Sequence, residues 1–336
     1  MPNYLLGENV NLGIGGESAA ARGTPVAPSI WVPGRTPTGI RPVIEKALLR
    51  ETTGSGVQSQ GSEVVGKRIE GDLEFNLKSQ SIGWILRSLL GSSASVSKGG
   101  ANAAVYDHTF NLLTGNPQHP TLTLALSQLG QQDYAYNGCL VSGLELRTPI
   151  NDLVNATASF IGRNETAVAN YTISFANTDV VFRQQDVVIK LATTAAGLDA
   201  ASAISLKDFS LSINSNARPD MNIGSLTATD VIALLMEITG SFSLDYTGTT
   251  YRDLYMNGTS RAMRIEMTRS DVTIGASANP KLVIDLPKVS FEGLEPDRPL
   301  DDVVSENVSF NAHYDSTTAK AITAVLSNTV TTYTIA

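Results

Sequence analysis

The chain has 336 residues, of which 42% are hydrophobic, 17% charged and 6% aromatic, with a formal net charge of −8. That length allows two domains of ordinary size or one large one, and low charge with abundant Ser, Thr, Asn, Gly and Val suits extended β-structure covered by other subunits. The absence of any Lys/Arg run disfavours tight phosphate binding, few aromatics disfavour a stacking platform for single strands, and one cysteine, Cys139, excludes a disulfide framework or a Cys-based zinc site.

Met1 to Val10 lacks the basic start and apolar run of a signal peptide. No apolar stretch approaches membrane-spanning length, so the expectation is a protein assembled in a cytoplasm with no membrane partner. Residues 1–42 form a lead segment with Gly13, Gly15 and Gly16 followed by Pro25, Pro28, Pro33, Pro37 and Pro42. Proline at this density removes donors and fixes φ, which predicts an extended arm lying on a neighbouring subunit. The glycines lack phosphate-loop spacing and follow no strand, which excludes a nucleotide loop.

Val43 to Arg50 reads as a strand and Glu51 to Gly66 as a polar loop. Ile69 to Leu77 then alternates strictly: Ile69, Leu73, Phe75 and Leu77 face one way, while Glu70, Asp72, Glu74 and Asn76 face the other. A helix follows, with Ser79 or Ser81 as cap, Ile82, Ile85, Leu86, Leu89 and Leu90 at helical spacing, and Gly91 as terminator. Ser92 to Ala104 reads as a small-residue loop. Strands are predicted over Thr121 to Leu126, Gly138 to Arg147 and Val154 to Ile161, with a corner at Thr148-Pro149. Beyond a junction near Asn164 to Asn177, strands are predicted over Ile204 to Ile213, Ile238 to Leu244, Arg261 to Met267 and Leu282 to Leu286, while the apolar run Val231 to Met236 fits a helix or a buried strand, of which the repeat favours strand. Asn214 to Asp230 reads as a long loop and Thr250 to Tyr255 as a helical turn.

The second half repeats the first. Gly143-Leu144-Glu145 to Asp152-Leu153-Val154, closing on Phe160, returns as Gly293-Leu294-Glu295 to Asp302-Val303-Val304, closing on Phe310, a shift of 150 (293 − 143). Ile238-Thr239-Gly240-Ser241-Phe242-Ser243-Leu244 matches Ile69 to Phe75 with a shift of 169 (240 − 71). The expectation is two β-rich units, each with one helix.

Nothing in the chain carries catalytic chemistry. His108, His119 and His313 neighbour no second ligand type at metal spacing, and no Gly-x-Ser-x-Gly elbow occurs. Asp297 with Asp301-Asp302 could suggest paired-carboxylate work, but the corner at Asp301-Asp302 reads Asn151-Asp152 in the first half, so the acids read as turn residues. The chain is therefore expected to be no enzyme and to need no cofactor. The acidic face of Glu70, Asp72 and Glu74, matched by Thr239, Ser241 and Ser243, reads either as a solvated sheet face or as a pore wall that repels phosphate.

Four stretches together resemble the tail tube (major tail) proteins of long-tailed bacteriophages: Gly15-Gly16-Glu17 through Gly23-Thr24-Pro25-Val26-Ala27-Pro28; Gly71 to Phe75 with the Ile82-to-Gly91 helix; Leu286-Pro287-Lys288-Val289 to Phe291; and Asp302-Val303-Val304 to Phe310-Asn311-Ala312-His313-Tyr314-Asp315. The resemblance implies a mainly β fold of two tandem tail-tube-like β-sandwich or barrel units, each with one flanking α-helix. The boundaries are then 1–42 for the arm, 43–165 and 176–316 for the units, and 317–336 for a C-terminal segment. It further implies stacked rings in the virion tail, assembled in the host cytoplasm, with Glu70, Asp72, Glu74, Ser241 and Ser243 facing a lumen through which DNA passes unbound. Two units per chain point to a homotrimer with pseudo-sixfold symmetry, and the family implies tape-measure, tail terminator and distal tail proteins as partners. The rival reading is a secreted or surface β-sandwich binding module, for carbohydrate for instance; it would need exposed aromatics, whereas Trp31 and Trp84 fall in the lead arm and in the apolar helix stripe.

Overall fold

A computed structural model describes residues 4–35, 39–52, 54, 56–176 and 178–334; Pro37 of the lead segment and Asn177 of the junction lie outside them. In the first half the elements are β1 (Val10–Gly16), β2 (Ile30–Val32), β3 (Arg41–Leu49), β4 (Gly61–Asn76), α1 (Ser81–Leu90), β5 (Gly91–Ser97), β6 (Tyr106–Leu112), β7 (Leu122–Gln128), β8 (Asp133–Thr148), β9 (Asn155–Gly162) and β10 (Asn164–Val168). In the second half they are β11 (Val187–Ala192), β12 (Asp208–Asn214), β13 (Arg218–Asp220), β14 (Asp230–Ile232), β15 (Glu237–Asp245), α2 (Thr250–Met256), β16 (Arg261–Thr268), β17 (Lys281–Asp297), β18 (Ser305–Ala312) and β19 (Thr323–Asn328). The fold is mainly β, and the pairings between these strands are antiparallel.

The strands form three ladders that share two long members. The longest runs β3-β4-β9-β8-β12-β15-β18-β17. A second, β2-β1-β7-β8-β10, uses the first half of β8. A third, β5-β6-β19-β17-β16-β11, uses the first half of β17. Both β8 and β17 change ladders at a bulge, between Val141 and Gly143 in β8 and between Phe291 and Gly293 in β17. An extra residue there bends the strand and re-aims it. The two bulges stand 150 positions apart (293 − 143).

A second pair of matching sites lies on β4 and β15. A side chain on Gly71 would put Cβ 2.5 Å from Gly39 O, and one on Gly240 would put Cβ 2.5 Å from Ser210 O. Only glycine lets the neighbouring strand approach so closely. The pinch is against the segment just before β3 in the first half and against β12 in the second.

Alternation decides which face of the long ladder is buried. On β9, Ala156, Ala158 and Phe160 are buried while Asn155, Thr157 and Ser159 are half-exposed; β12, β15 and β18 alternate likewise. Their buried members join Leu12 and Ile14 of β1, Leu124 of β7, Ile284 of β17 and the helix stripe in one contiguous core spanning both halves. Burial of this kind contributes roughly 25 cal/mol per Å² of apolar surface.

The helix α1 is buried on every side, and Gly91 ends it with φ 89°, its N–H donating to Arg87 O. The N-terminal cap differs from the sequence expectation. Neither Ser79 nor Ser81 caps it; the N–H of the N-cap residue Gln80 donates to Asp179 Oδ1 at 2.6 Å, a partner from across the chain.

Other elements also depart from the sequence reading. The described part of the lead segment holds strands β1 and β2 and short 3-10 turns at Gly7–Asn9 and Ala19–Ala21, and it is packed on its own chain: β1 lies beside β7 and β2. Glu17 anchors the turn beyond it, accepting from Gly23 N–H (2.6 Å), Thr121 Oγ1 (2.6 Å), Thr123 Oγ1 (2.8 Å) and Gly138 N–H (2.8 Å). The predicted loop 92–104 begins as strand β5, because β6 offers it a full ladder. Of Val231 to Met236, only the first two residues are in strand β14. The C-terminal segment supplies β19 between β6 and β17, and Tyr333 is buried against Trp84, His108 and Phe110.

The halves meet by strand pairing. β12 lies antiparallel to the second half of β8, with Ser212 opposite Glu145 and Asn214 opposite Gly143. The segment after β12 folds over the first half: Arg22 binds Asp230 at 2.7 Å and Val231 O at 3.0 Å, Arg163 donates to Ala228 O, and Ala233 N–H donates to Pro117 O.

Candidate functional site

The solvent-side face of the long ladder is polar along its whole width. One row of opposed residues runs Asn76, Asn155, Arg147, Ser210, Ser241, Ser309 and Gly293. The next runs Glu74, Thr157, Glu145, Ser212, Thr239 and Asn311. Small hydroxyl and amide side chains dominate these rows, with the Ser210 and Ser241 hydroxyls 2.9 Å apart, and Glu74, Glu145 and Arg147 are their charged members. The face is hollowed over its β4, β9, β8 and β12 part. One trough is lined by Gly39, Arg41, Glu70, Asp72, Glu74 and Ser159, and its continuation by Gly143, Glu145, Thr157, Ser212 and Asn214.

All five residues singled out from the sequence lie on this face. Glu70, Asp72 and Glu74 are on β4, Ser241 and Ser243 on β15, with β9, β8 and β12 between them. The acidic character is less uniform than alternation implied. Arg68, on the same face two residues before Glu70, pairs with Glu70 and Glu45, and Arg147 pairs with Glu145 at 2.7 Å. Asp245, at the end of β15, pairs with Lys207 at 3.0 Å. Among the described residues Asp72 and Glu74 have no ion pair, nor have Asp208 and Glu295 further along the same face, so these four carry open negative charge there. The basic members Arg41, Arg68 and Arg147 were missed in sequence because strand register alone puts them beside the acids.

The histidines are occupied structurally. Burial pushes the His108 and His119 pKa down. His108 sits between Ser95 Oγ (2.7 Å) and Asn328 Oδ1 (3.0 Å). His119 Nδ1 donates to Leu89 O at 2.9 Å. His313 Nε2 lies 2.6 Å from Ser290 Oγ. Among the described residues no group of three potential ligands is placed to hold a metal ion. Burial drives the Cys139 thiol pKa well up, which suits a packing residue and not a nucleophile.

Asp152 Oδ1 accepts from Leu153 N–H at 2.7 Å and Asp302 Oδ1 from Val303 N–H at 2.7 Å, the turn role expected of them. Trp31 and Trp84 are only 5% and 7% exposed, so neither offers a face to a sugar ring.

A protein-family profile described as phage tail tube protein matches residues 7–312. No curated protein matches the chain. A solved structure titled "Crystal structure of Hcp protein" aligns at 12% identity over 41% of this chain and 96% of its own, with a TM-score of 0.23; a likeness that weak decides nothing further about this chain.

Proposed function

This chain belongs to the phage tail tube protein family, and on that premise we propose that the polar face of its long ladder is the wall of the tube's bore. As a structural tail tube protein it self-assembles into stacked rings and is a component of the virion tail. The carrying observation is the face itself: Asp72 and Glu74 stand without ion pairs among the described residues, on a wall of Ser, Thr, Asn and Gly whose further charges include the paired Arg68–Glu70 and Arg147–Glu145. A surface of that kind offers a passing duplex few donors and some like charge, so DNA slides without adhering. Glu70, Asp72, Glu74, Ser241 and Ser243 are the lumen residues in this reading. Nothing in it calls for catalysis or a cofactor.

We read the chain as two copies of one unit, 43–165 and 176–316, carrying the lead segment and a C-terminal segment that closes the third ladder. The matching bulges, the matching glycine pinches and the repeated turn at Asp152 and Asp302 support it. Three chains then make a ring of pseudo-sixfold symmetry, assembled in the host cytoplasm. Tape-measure, tail terminator and distal tail proteins would meet the bore and the two ends of the tube. Electron microscopy of the concentrated protein tests this: rings or tubes with three chains per ring are expected. Six chains per ring would overturn the trimer, and monodisperse monomers would overturn the tube reading.

A further inference from the structure

The long ladder ends in two strands that have no partner on their outer sides among the described residues: β3, paired with β4 alone, and the second half of β17, paired with β18 alone. β3 is exposed along almost its whole length, and Glu295, Pro296 and Asp297 are exposed on β17. Long exposed edges are templates for another strand.

The chain already contains one joint between strands of these two kinds. Arg41 lies opposite Glu70 on β4, and Ser212 lies opposite Thr239 on β15. Glu70 and Thr239 are matched by the 169-residue shift (239 − 70), so Arg41 holds the place of Ser212. Glu145 and Glu295 are matched by the 150-residue shift (295 − 145) and follow matching bulges. Within the chain, Ser212 faces Glu145.

We propose that β3 of one chain pairs antiparallel with the second half of β17 of a second copy, with Arg41 opposite Glu295, in the register that β12 and β8 adopt inside the chain. The same register puts Val43 opposite Gly293 on the polar face and Pro42 opposite Leu294 on the core face, as Asn214 faces Gly143 and Ile213 faces Leu144. Arg41 against Glu295 is a charge-complementary cross-strand pair where the internal joint has Ser212 against Glu145, and such pairs fix register. The contact is heterologous, one edge meeting a different edge, so it propagates around a ring. It rests on the self-assembling tube reading and adds to it which strands meet and how.

The test is disulfide trapping in the full chain. Directly opposed residues have Cα atoms about 4.5–5.5 Å apart, within disulfide reach, whereas diagonal neighbours stand about 7–8 Å apart and are beyond it. The variant carrying Arg41→Cys and Glu295→Cys, oxidised after assembly, is expected to run as covalent multimers on a non-reducing gel. The Arg41→Cys and Asp297→Cys combination is expected to stay monomeric. Buried Cys139 is no competitor, being 0% exposed. A second arm uses charge: Arg41→Glu raises the concentration needed for assembly by about tenfold, and adding Glu295→Arg restores it. Rings in the micrographs without a 41–295 bridge overturn this joint and leave the tube reading standing. Neither rings nor bridge, with circular dichroism showing a folded chain, overturns both.

Discussion

Replacing Gly83 by alanine brings a methyl group into space that Tyr333 already fills: the new Cβ would stand 2.1 Å from Tyr333 Cζ. The ring cannot yield by a small shift. It is 0% exposed, its hydroxyl donates to Gln80 O at 2.7 Å and accepts from Asn328 Nδ2 at 2.8 Å, and it stands edge-on to Trp84 and His108 at 5.3 and 4.7 Å. Expelling it forfeits what Tyr333→Ala forfeits, about 3–5 kcal/mol for a fully buried aromatic side chain. Against that, alanine is better than glycine inside a helix by about 1 kcal/mol. Gly83→Ala alone should therefore destabilise by about 2–4 kcal/mol. In a Tyr333→Ala background the obstacle is gone and the same substitution should stabilise by up to about 1 kcal/mol. Urea unfolding of the four proteins of the cycle, followed by tryptophan fluorescence because Trp84 borders the ring, measures both. A Gly83→Ala protein within about 0.5 kcal/mol of wild type, or additive effects in the double variant, would refute the reasoning.

Changing Glu70, Asp72 and Glu74 together to Lys should leave tubes intact in micrographs but lower infectivity per particle by about tenfold or more; unchanged infectivity removes these residues from the bore. Glu17→Ala strips the acceptor from two backbone N–H groups and two hydroxyls and should cost about 3–5 kcal/mol, read by urea unfolding and by faster proteolysis near Gly23. His108 and His119 have pKa values lowered by burial, so the unfolded chain binds more protons than the folded one as pH falls. Their contribution is fully present above about pH 6.5 and is lost below it. The urea midpoint should drop from pH 7 to pH 5, and His119→Gln should blunt that drop; an equal drop in the variant counts against His119 as a cause.

Much of the architecture is written in short-range pattern. The alternation of Ile69 to Leu77 gives β4 and its two faces, and Gly91 marks the end of α1. The repeat at Gly143 and Gly293 falls on the two bulges, because an inserted residue and the glycine beside it constrain sequence locally. What could not be read depends on residues far apart in the chain. Glu17 is held by Thr121, Thr123 and Gly138, and nothing in its own neighbourhood announces them. β6 and β19 are brought side by side although Asn111 and Thr323, which face each other, are 212 residues apart. For the polar face, the acids of β4 were legible, whereas the neutralising Arg68–Glu45 contact follows from a hairpin register that contains its own irregularity between Glu45 and Lys46.

The β12–β8 pairing joins the halves of a single polypeptide, and that connectivity separates two kinds of failure. Strands tethered by a chain meet at an effective concentration in the millimolar range, independent of how much protein the cell has made. A lesion in β12 or the second half of β8 therefore strikes during folding, in every molecule, and should surface as insoluble or degraded chain. A lesion confined to the outer edge of β3 acts only when one finished molecule encounters another. It should leave a soluble, correctly folded chain whose defect fades as expression rises. Dosage, not temperature, would then distinguish the two classes of mutant.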